Sequence, residues 1–353
     1  MGTPEVAATV LNTLHAAATS PDSSFQLCAV VSQPGKPKGR GNKTTPVLTP
    51  VEEAARKLGM TDETILCPAT AKDEVFLARM SELKPDLCVT AAYGNMLPQR
   101  FLDLPKLGTL NIHPSMLPKY RGAAPVQRAV QDGLSKTGVS VAYTVLKCDA
   151  GPVLAQEEVH VDPEIQAPEL LSHLFEVGAK LLLSKLDVVF QGKGGEVAWP
   201  QDEYQAAHAP KLTKEESRLD LRACSAQELH DKVRAFAGWP GTNVTFVLAE
   251  EGGEEASMEE IEIKIIRTTG PGSHANDNRD LAPPSDAQSG ITHGMREVRW
   301  SPNGSAMILP CLGEAGQGEG ELRVTHVQPP TKKAITAAEF KNGLRKKKLL
   351  VRF

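Results

Sequence analysis

No two cysteines in this chain are spaced as a CxxC pair. The six cysteines fall at 28, 67, 88, 148, 224 and 311, a scatter that indicates neither a zinc site nor a disulfide framework. Cys28 and Cys88 sit inside apolar runs and read as small core residues, which fits a reducing compartment. No run of eighteen apolar residues occurs, so no membrane partner is expected. No signal or transit peptide is read at Met1, and no internal repeat is found. An excess of positive charge is missing too. The chain has 39 Lys and Arg against 43 Asp and Glu, a net charge of −4, which argues against a generic nucleic-acid binder.

What charge there is lies unevenly. Residues 34–43 hold Lys36, Lys38, Arg40 and Lys43 with no acid, and residues 323–353 hold nine Lys or Arg against Glu339 alone. Residues 250–260 carry six Glu and no base. Two basic zones on an acidic chain suggest a localised polyanion site. Two solvated surfaces would look the same, and charge alone favours that reading.

With 353 residues, 41% of them hydrophobic, the chain is long enough for two domains. Apolar spacing predicts helices from Pro4 (capped by Thr3) to about His15, then over 50–59, 73–83, 121–133, 166–191 and 225–237. Short apolar runs predict strands at 25–31, 86–91, 108–113, 139–146 and 153–160. This alternation implies an α/β domain with a mainly parallel sheet, its last two strands antiparallel at one edge. The stretch 192–206 reads as a linker. Beyond it, strand-like runs at 242–248, 260–267, 297–300, 305–310 and 321–327 suggest a small barrel or sandwich. The Glu-rich and polar stretch 250–295 is expected to be a disordered insertion. The domain boundaries expected are therefore 1–191, 192–206 and 207–353.

The chemistry-bearing residues crowd into LGTLNIHPSMLPKYRGAAPVQRA, 107–129. Asn111 and His113 are two apart on a strand, so both point to one face near its carboxyl end. Asp149 precedes Gly151 at the end of a neighbouring strand. An amide, an imidazole and a carboxylate meeting there suit acyl transfer to an amine. Asn111 and protonated His113 could donate to the developing oxyanion, one such donor being worth about 3 kcal/mol. Asp149 could orient His113 and help move the amine proton. A strand cap followed by a turn uses the same residue types, and pattern alone leaves that alternative open.

NIHPSMLP followed by YRGAAPVQRA resembles the folate-dependent formyltransferases. MGTPEVA, QPGKPKGRGNKTTPV, AAYGNMLP, TGVSV with DAGPVL, APKLTKEESRLDL, LHDKVRAFAGWPG and VQPPTKKAITAAEFKNGLR extend the resemblance, in order, over all but 250–295. It implies a Rossmann-like formyltransferase domain plus a small OB-like β-barrel. It implies 10-formyltetrahydrofolate as co-substrate, no metal, and methionine on initiator tRNA as acceptor in bacterial-type translation. The family's catalytic Asn, His and Asp fall on Asn111, His113 and Asp149, and its folate-contacting loop on Ser115, Met116, Leu117 and Pro118. Lys38, Arg40 and Lys43 in the inserted loop, with Lys332, Lys333 and Lys346 near the end, are the expected tRNA contacts. Ala150 stands where the family often has Thr. A hydrophobic strand normally precedes the opening turn, and a start placed too late is expected. A monomer is expected; the long polar insertion and the odd start point to a eukaryotic gene whose product serves a mitochondrion or plastid, and a bacterial gene would place it in the cytoplasm. A formyltransferase for a nucleotide or sugar amine, a formyl-folate hydrolase and a non-catalytic RNA-binding protein are the competing readings.

Overall fold

Side-chain caps set where the helices Pro50–Lys57 and Glu74–Leu83 begin. Thr49 accepts from the Glu52 amide at 3.2 Å and Asp73 from the Phe76 amide at 2.8 Å, each satisfying an amide the helix leaves open. The computed structural model describes residues 1–38, 45–250, 258–271, 295–313, 320–345 and 347–352. Arg40, Lys43, Lys346 and most of 250–295 lie outside them. Two compact units form. One comprises Met1–Val126, Lys136–Val161 and Glu169–Pro210, the other Gln127–Ser135, Asp162–Pro168 and Lys211–Phe353. These limits differ from the expected ones: the first unit reaches Pro210, and two short stretches before 191 fall in the second.

In the first unit the chain runs through α1 (Glu5–Ala18), β1 (Val30–Val31), α2 (Pro50–Lys57), β2 (Ile65–Leu66), α3 (Glu74–Leu83), β3 (Cys88–Ala91), β4 (Thr109–His113), β5 (Lys136–Tyr143), β6 (Val153–His160) and α4 (Ala167–Leu183). Pro4, not Thr3, caps α1. The Thr3 hydroxyl instead donates to the Tyr93 carbonyl at 3.0 Å. β1 pairs with β2 in parallel, and a four-stranded sheet runs β3-β4-β5-β6. The α/β class is as expected, but the larger sheet is mixed. β3 and β4 are parallel and β5–β6 antiparallel, both as expected, whereas β4–β5 is antiparallel as well. The reason is the route taken. β5 begins at the end where β4 finishes, so it runs back alongside instead of crossing over.

The two sheets meet at the opening turn. The Gly2 amide donates to the Val31 carbonyl and the Ala91 amide to the Met1 carbonyl, both at 2.9 Å. Gly2 permits that approach, since a Cβ there would stand 2.4 Å from Ala7 Cβ and 2.7 Å from Ala91 O. Beside the turn is a cavity of about 130 Å³ lined by apolar side chains including Leu11, Leu14, Val30 and Val89. Cys88 is buried, but Cys28 is exposed. Only Val30–Val31 of the expected run 25–31 is strand.

Alternation along β4 separates core from site. Leu110 and Ile112 are fully buried among Val139, Val141, Phe175 and Ala179, each worth roughly 1.5–3 kcal/mol. Gly178 lets α4 lie close, because a Cβ there would come within 2.5 Å of Ile112 Cγ2. Thr109, Asn111 and His113 therefore take the other face.

The second unit holds α5 (Ala226–Ala235), β7 (Thr242–Glu250), β8 (Glu259–Thr269), β9 (Met295–Glu297), β10 (Arg299–Trp300), β11 (Met307–Cys311), β12 (Gly320–Gln328), α6 (Ala337–Leu344) and β13 (Lys347–Arg352). The strands form one antiparallel sheet, ordered β9-β13-β7-β8-β12-β11-β10. This sheet fits the small barrel or sandwich expected here, and α5 is the helix expected at 225–237. A register shift near Arg267 bends β8 and adds local twist. β8, eleven residues long, contains the strand expected at 260–267 and takes its residues out of the stretch 250–295 read as a disordered insertion. Their alternation buries Ile263 and Ile265 and outweighs the surrounding Glu.

Candidate active site

Asn111 and His113 share one face of β4, and Thr90 on β3 turns the amide. The Thr90 hydroxyl donates to Asn111 Oδ1 at 2.8 Å. With the oxygen held, the Nδ2 hydrogens of Asn111 face the other way, and no partner takes them among the described residues. His113 is 4% exposed. Its Nε2 lies 2.9 Å from the Tyr120 carbonyl. A carbonyl only accepts, so Nε2 carries the hydrogen. The Nδ1 edge faces Asp149 Oδ1 at 3.8 Å, too long for a direct hydrogen bond. The other carboxylate oxygen of Asp149 accepts from the Gly122 amide at 2.9 Å.

The structure thus brings Asn111, His113 and Asp149 to one place and changes one expected detail. The expectation that His113 donates to the oxyanion while Asp149 orients it needs both ring nitrogens, and one is already taken. The Nε2 of His113 is held by backbone, and only the edge facing Asp149 remains for chemistry. Asp149 also arrives by an unexpected path, from the long β5–β6 connection and not from a strand end.

The loop after His113 is locked from below. The Ser140 hydroxyl donates to the Ser115 carbonyl at 2.6 Å and accepts from the Leu117 amide at 3.0 Å. Gln156 donates to the Leu117 carbonyl at 2.7 Å and to Ser140 Oγ at 2.9 Å. Ser115 is fully buried and its hydroxyl donates to the Lys119 carbonyl. Leu117 packs with Ala142 and Val153. Among the four expected folate contacts, Ser115 and Leu117 therefore shape the loop. Met116 and Pro118 are the two left half-buried. Thr90, Ser140 and Gln156 escaped sequence reasoning because a strand pattern marks them only as polar positions.

Lys38 belongs to a two-residue strand paired with Thr45–Pro46. Lys332 and Lys333 are exposed and make no ion pair among the described residues. Nearby bases are partly neutralised: Lys348 pairs with Glu297 at 3.0 Å and Arg352 with Glu260 at 3.2 Å.

Residues 3–186 match the formyl transferase family and residues 211–345 its C-terminal domain. The methionyl-tRNA formyltransferase of Thermotoga maritima is 32% identical over 97% of this chain and 94% of its own length. That of Moorella thermoacetica is 33% identical over 97% and 94%. That of Geobacillus thermodenitrificans is 37% identical over 70% and 73%. These relatives are bacterial and lend no support to an organellar location. Among solved structures, WlaRD, a sugar 3N-formyl transferase, superposes with a TM-score of 0.55 at 13% identity, over 94% of this chain and 97% of its own. An N-formyltransferase from Helicobacter canadensis gives 0.54 at 12%, over 93% and 97%. Both likenesses concern the fold.

Proposed function

The chain belongs to the formyl transferase family, and from that premise we propose that it transfers a formyl group from 10-formyltetrahydrofolate to the amino group of methionine on initiator tRNA, serving bacterial-type translation initiation. The observation that carries this reading is the Asn111 amide, fixed by Thr90 with its N–H pair unused beside the His113–Asp149 pair. That donor set fits a formyl carbonyl, whose oxygen gains negative charge when an amine adds to its carbon. The folate supplies an activated formyl group, so no Ser or Cys nucleophile is needed.

Asn111 Nδ2 donates to the forming oxyanion, an interaction stronger in the transition state than before it. The attacking amine is neutral and must lose a proton once the C–N bond forms. The His113 Nδ1 edge and Asp149 receive that proton, and the folate nitrogen regains one as the C–N bond to it breaks. Met116 and Pro118 line the approach to the donor. Lys38, Arg40, Lys43, Lys332, Lys333 and Lys346 neutralise tRNA phosphates, so binding weakens as salt rises.

The test offers the protein both acceptor classes with 10-formyltetrahydrofolate. Formyl transfer to methionyl-tRNA, and none to a sugar amine or glycinamide, is expected. Transfer to the small amines with none to methionyl-tRNA overturns the proposal.

A further inference from the structure

Asp149 reaches His113 by a path that has to be held in place. β4 and β5 are antiparallel, with Leu110 opposite Tyr143 and His113 opposite Ser140. The Thr144 amide donates to the Thr109 carbonyl at 2.7 Å, so the connection 144–152 leaves beside the start of β4. Asp149 must therefore turn back along the site face to stand 3.8 Å from His113. It does so at φ +49°, a conformation uncommon for a residue with a Cβ. Gly151 is pressed so closely that a Cβ would lie 1.8 Å from the Tyr143 carbonyl oxygen.

The stretch 201–203 grips this connection at three points. Gln201 Nε2 donates to the Asp149 carbonyl at 2.8 Å and to the Gly151 carbonyl at 2.7 Å. Gln201 Oε1 accepts from Arg121 Nε at 2.9 Å and Nη2 at 2.8 Å. The amide thus has both hydrogens and its oxygen engaged, which fixes its orientation. Glu203 accepts from Arg121 at 2.9 and 3.2 Å and from Lys147, in the same connection, at 2.6 Å. Arg121 is 7% exposed, and the next residue, Gly122, donates its amide to Asp149 Oδ2.

We propose that Gln201, braced by Arg121 and Glu203, is the positioning residue that holds Asp149 against His113. This rests on the reading of Asp149 as half of the proton-transfer pair. Gln201→Glu separates the idea from a plain packing role. The carboxylate is isosteric and still accepts from Arg121, but it faces the Asp149 and Gly151 carbonyls with oxygen and no hydrogen. A residue needed only to partner Arg121 would tolerate that change.

The experiment is single-turnover formyl transfer to methionyl-tRNA across pH, with steady-state KM values and thermal unfolding. The variants are Gln201→Glu, Gln201→Leu, Asp149→Asn, the double variant Gln201→Leu/Asp149→Asn, and Glu203→Gln as a milder change that leaves Gln201 intact. Gln201→Glu and Gln201→Leu are expected to slow the chemical step by roughly 10- to 10²-fold, the effect of a catalytic group displaced by an ångström or less. Both KM values should stay within about threefold, the pH–rate profile should shift, and Gln201→Leu should cost nothing further once Asp149 is Asn. Glu203→Gln should slow the step by about threefold or more. A full rate in Gln201→Glu, losses that multiply in the double variant, or an effect confined to KM or to melting temperature would overturn the proposal. A wild-type rate in Asp149→Asn would instead overturn the role of Asp149, and with it the need to position it.

Discussion

At the scale of the residue, the site works through what its neighbours leave unused. Thr90 takes the Asn111 oxygen and Tyr120 takes one His113 nitrogen, so each side chain presents one defined edge. Thr90→Val removes the hydroxyl without changing the shape and lets the amide rotate. The chemical step should then fall about tenfold, with folate and tRNA binding kept, as for the loss of part of one oxyanion donor; single-turnover rates check this. Glu203 gives a pH signature. Hydrogen bonds from Arg121 and Lys147 hold its carboxyl down at about 2, against an ordinary 4.5. A depressed carboxyl contributes stability above its unfolded value and loses it as pH falls through the folded one. The difference in melting temperature between the protein and Glu203→Gln should therefore be flat from about pH 7 to 5 and shrink between about 4.5 and 2. A difference that persists at the acid end contradicts the assignment. The trio Asn111, His113 and Asp149 was legible because residue type, spacing and resemblance all mark it. Gln201 was not, because nothing in QGKGGEVAWPQDEYQ separates a clamp from a solvated linker.

At the scale of the element, local rules located helices and strands well and their partners poorly. The capping boxes Ser225 with Glu228 and Thr336 with Glu339 open α5 and α6 where the sequence allows. Thr336→Ala should lower stability by about 1 kcal/mol, as the loss of an N-cap does, measurable by denaturant unfolding. β6 spans Val153–His160, the very run its apolar pattern marks. The direction of β5 was not legible, because alternation is the same in a parallel or an antiparallel strand and only the route of the chain decides. The predicted helix 166–191 is two, Ala167–Leu183 and Leu186–Phe190. Its apolar period carries straight through the break and hides it. Gly138 is a further element-level test. A Cβ there would stand 2.3 Å from the Glu157 carbonyl oxygen and 2.4 Å from Met116 Sδ. Gly138→Ala should thus cost about 1–3 kcal/mol by overpacking and displace the loop that carries Met116, raising KM for the folate.

At the scale of the whole molecule, an acidic chain of net charge −4 is proposed to bind a polyanion through a few local bases. Replacing Lys332 and Lys333 with Ala should raise KM for methionyl-tRNA and lower the salt slope by about 0.7–0.9 per lysine that meets a phosphate. KM for the folate should not move. An unchanged slope would remove both from the interface. Family membership was legible from ordered motifs spread along the chain. The path that brings Asp149 to His113 was not, because the two meet only after the β5–β6 connection folds back. The account turns on the Asn111 amide as the donor to the forming oxyanion. The direct measurement is the single-turnover rate of formyl transfer to methionyl-tRNA for Asn111→Ala, with both substrates shown to bind. A fall of about 10²- to 10³-fold at unchanged affinities is predicted. A rate equal to that of the unmodified protein would contradict the account.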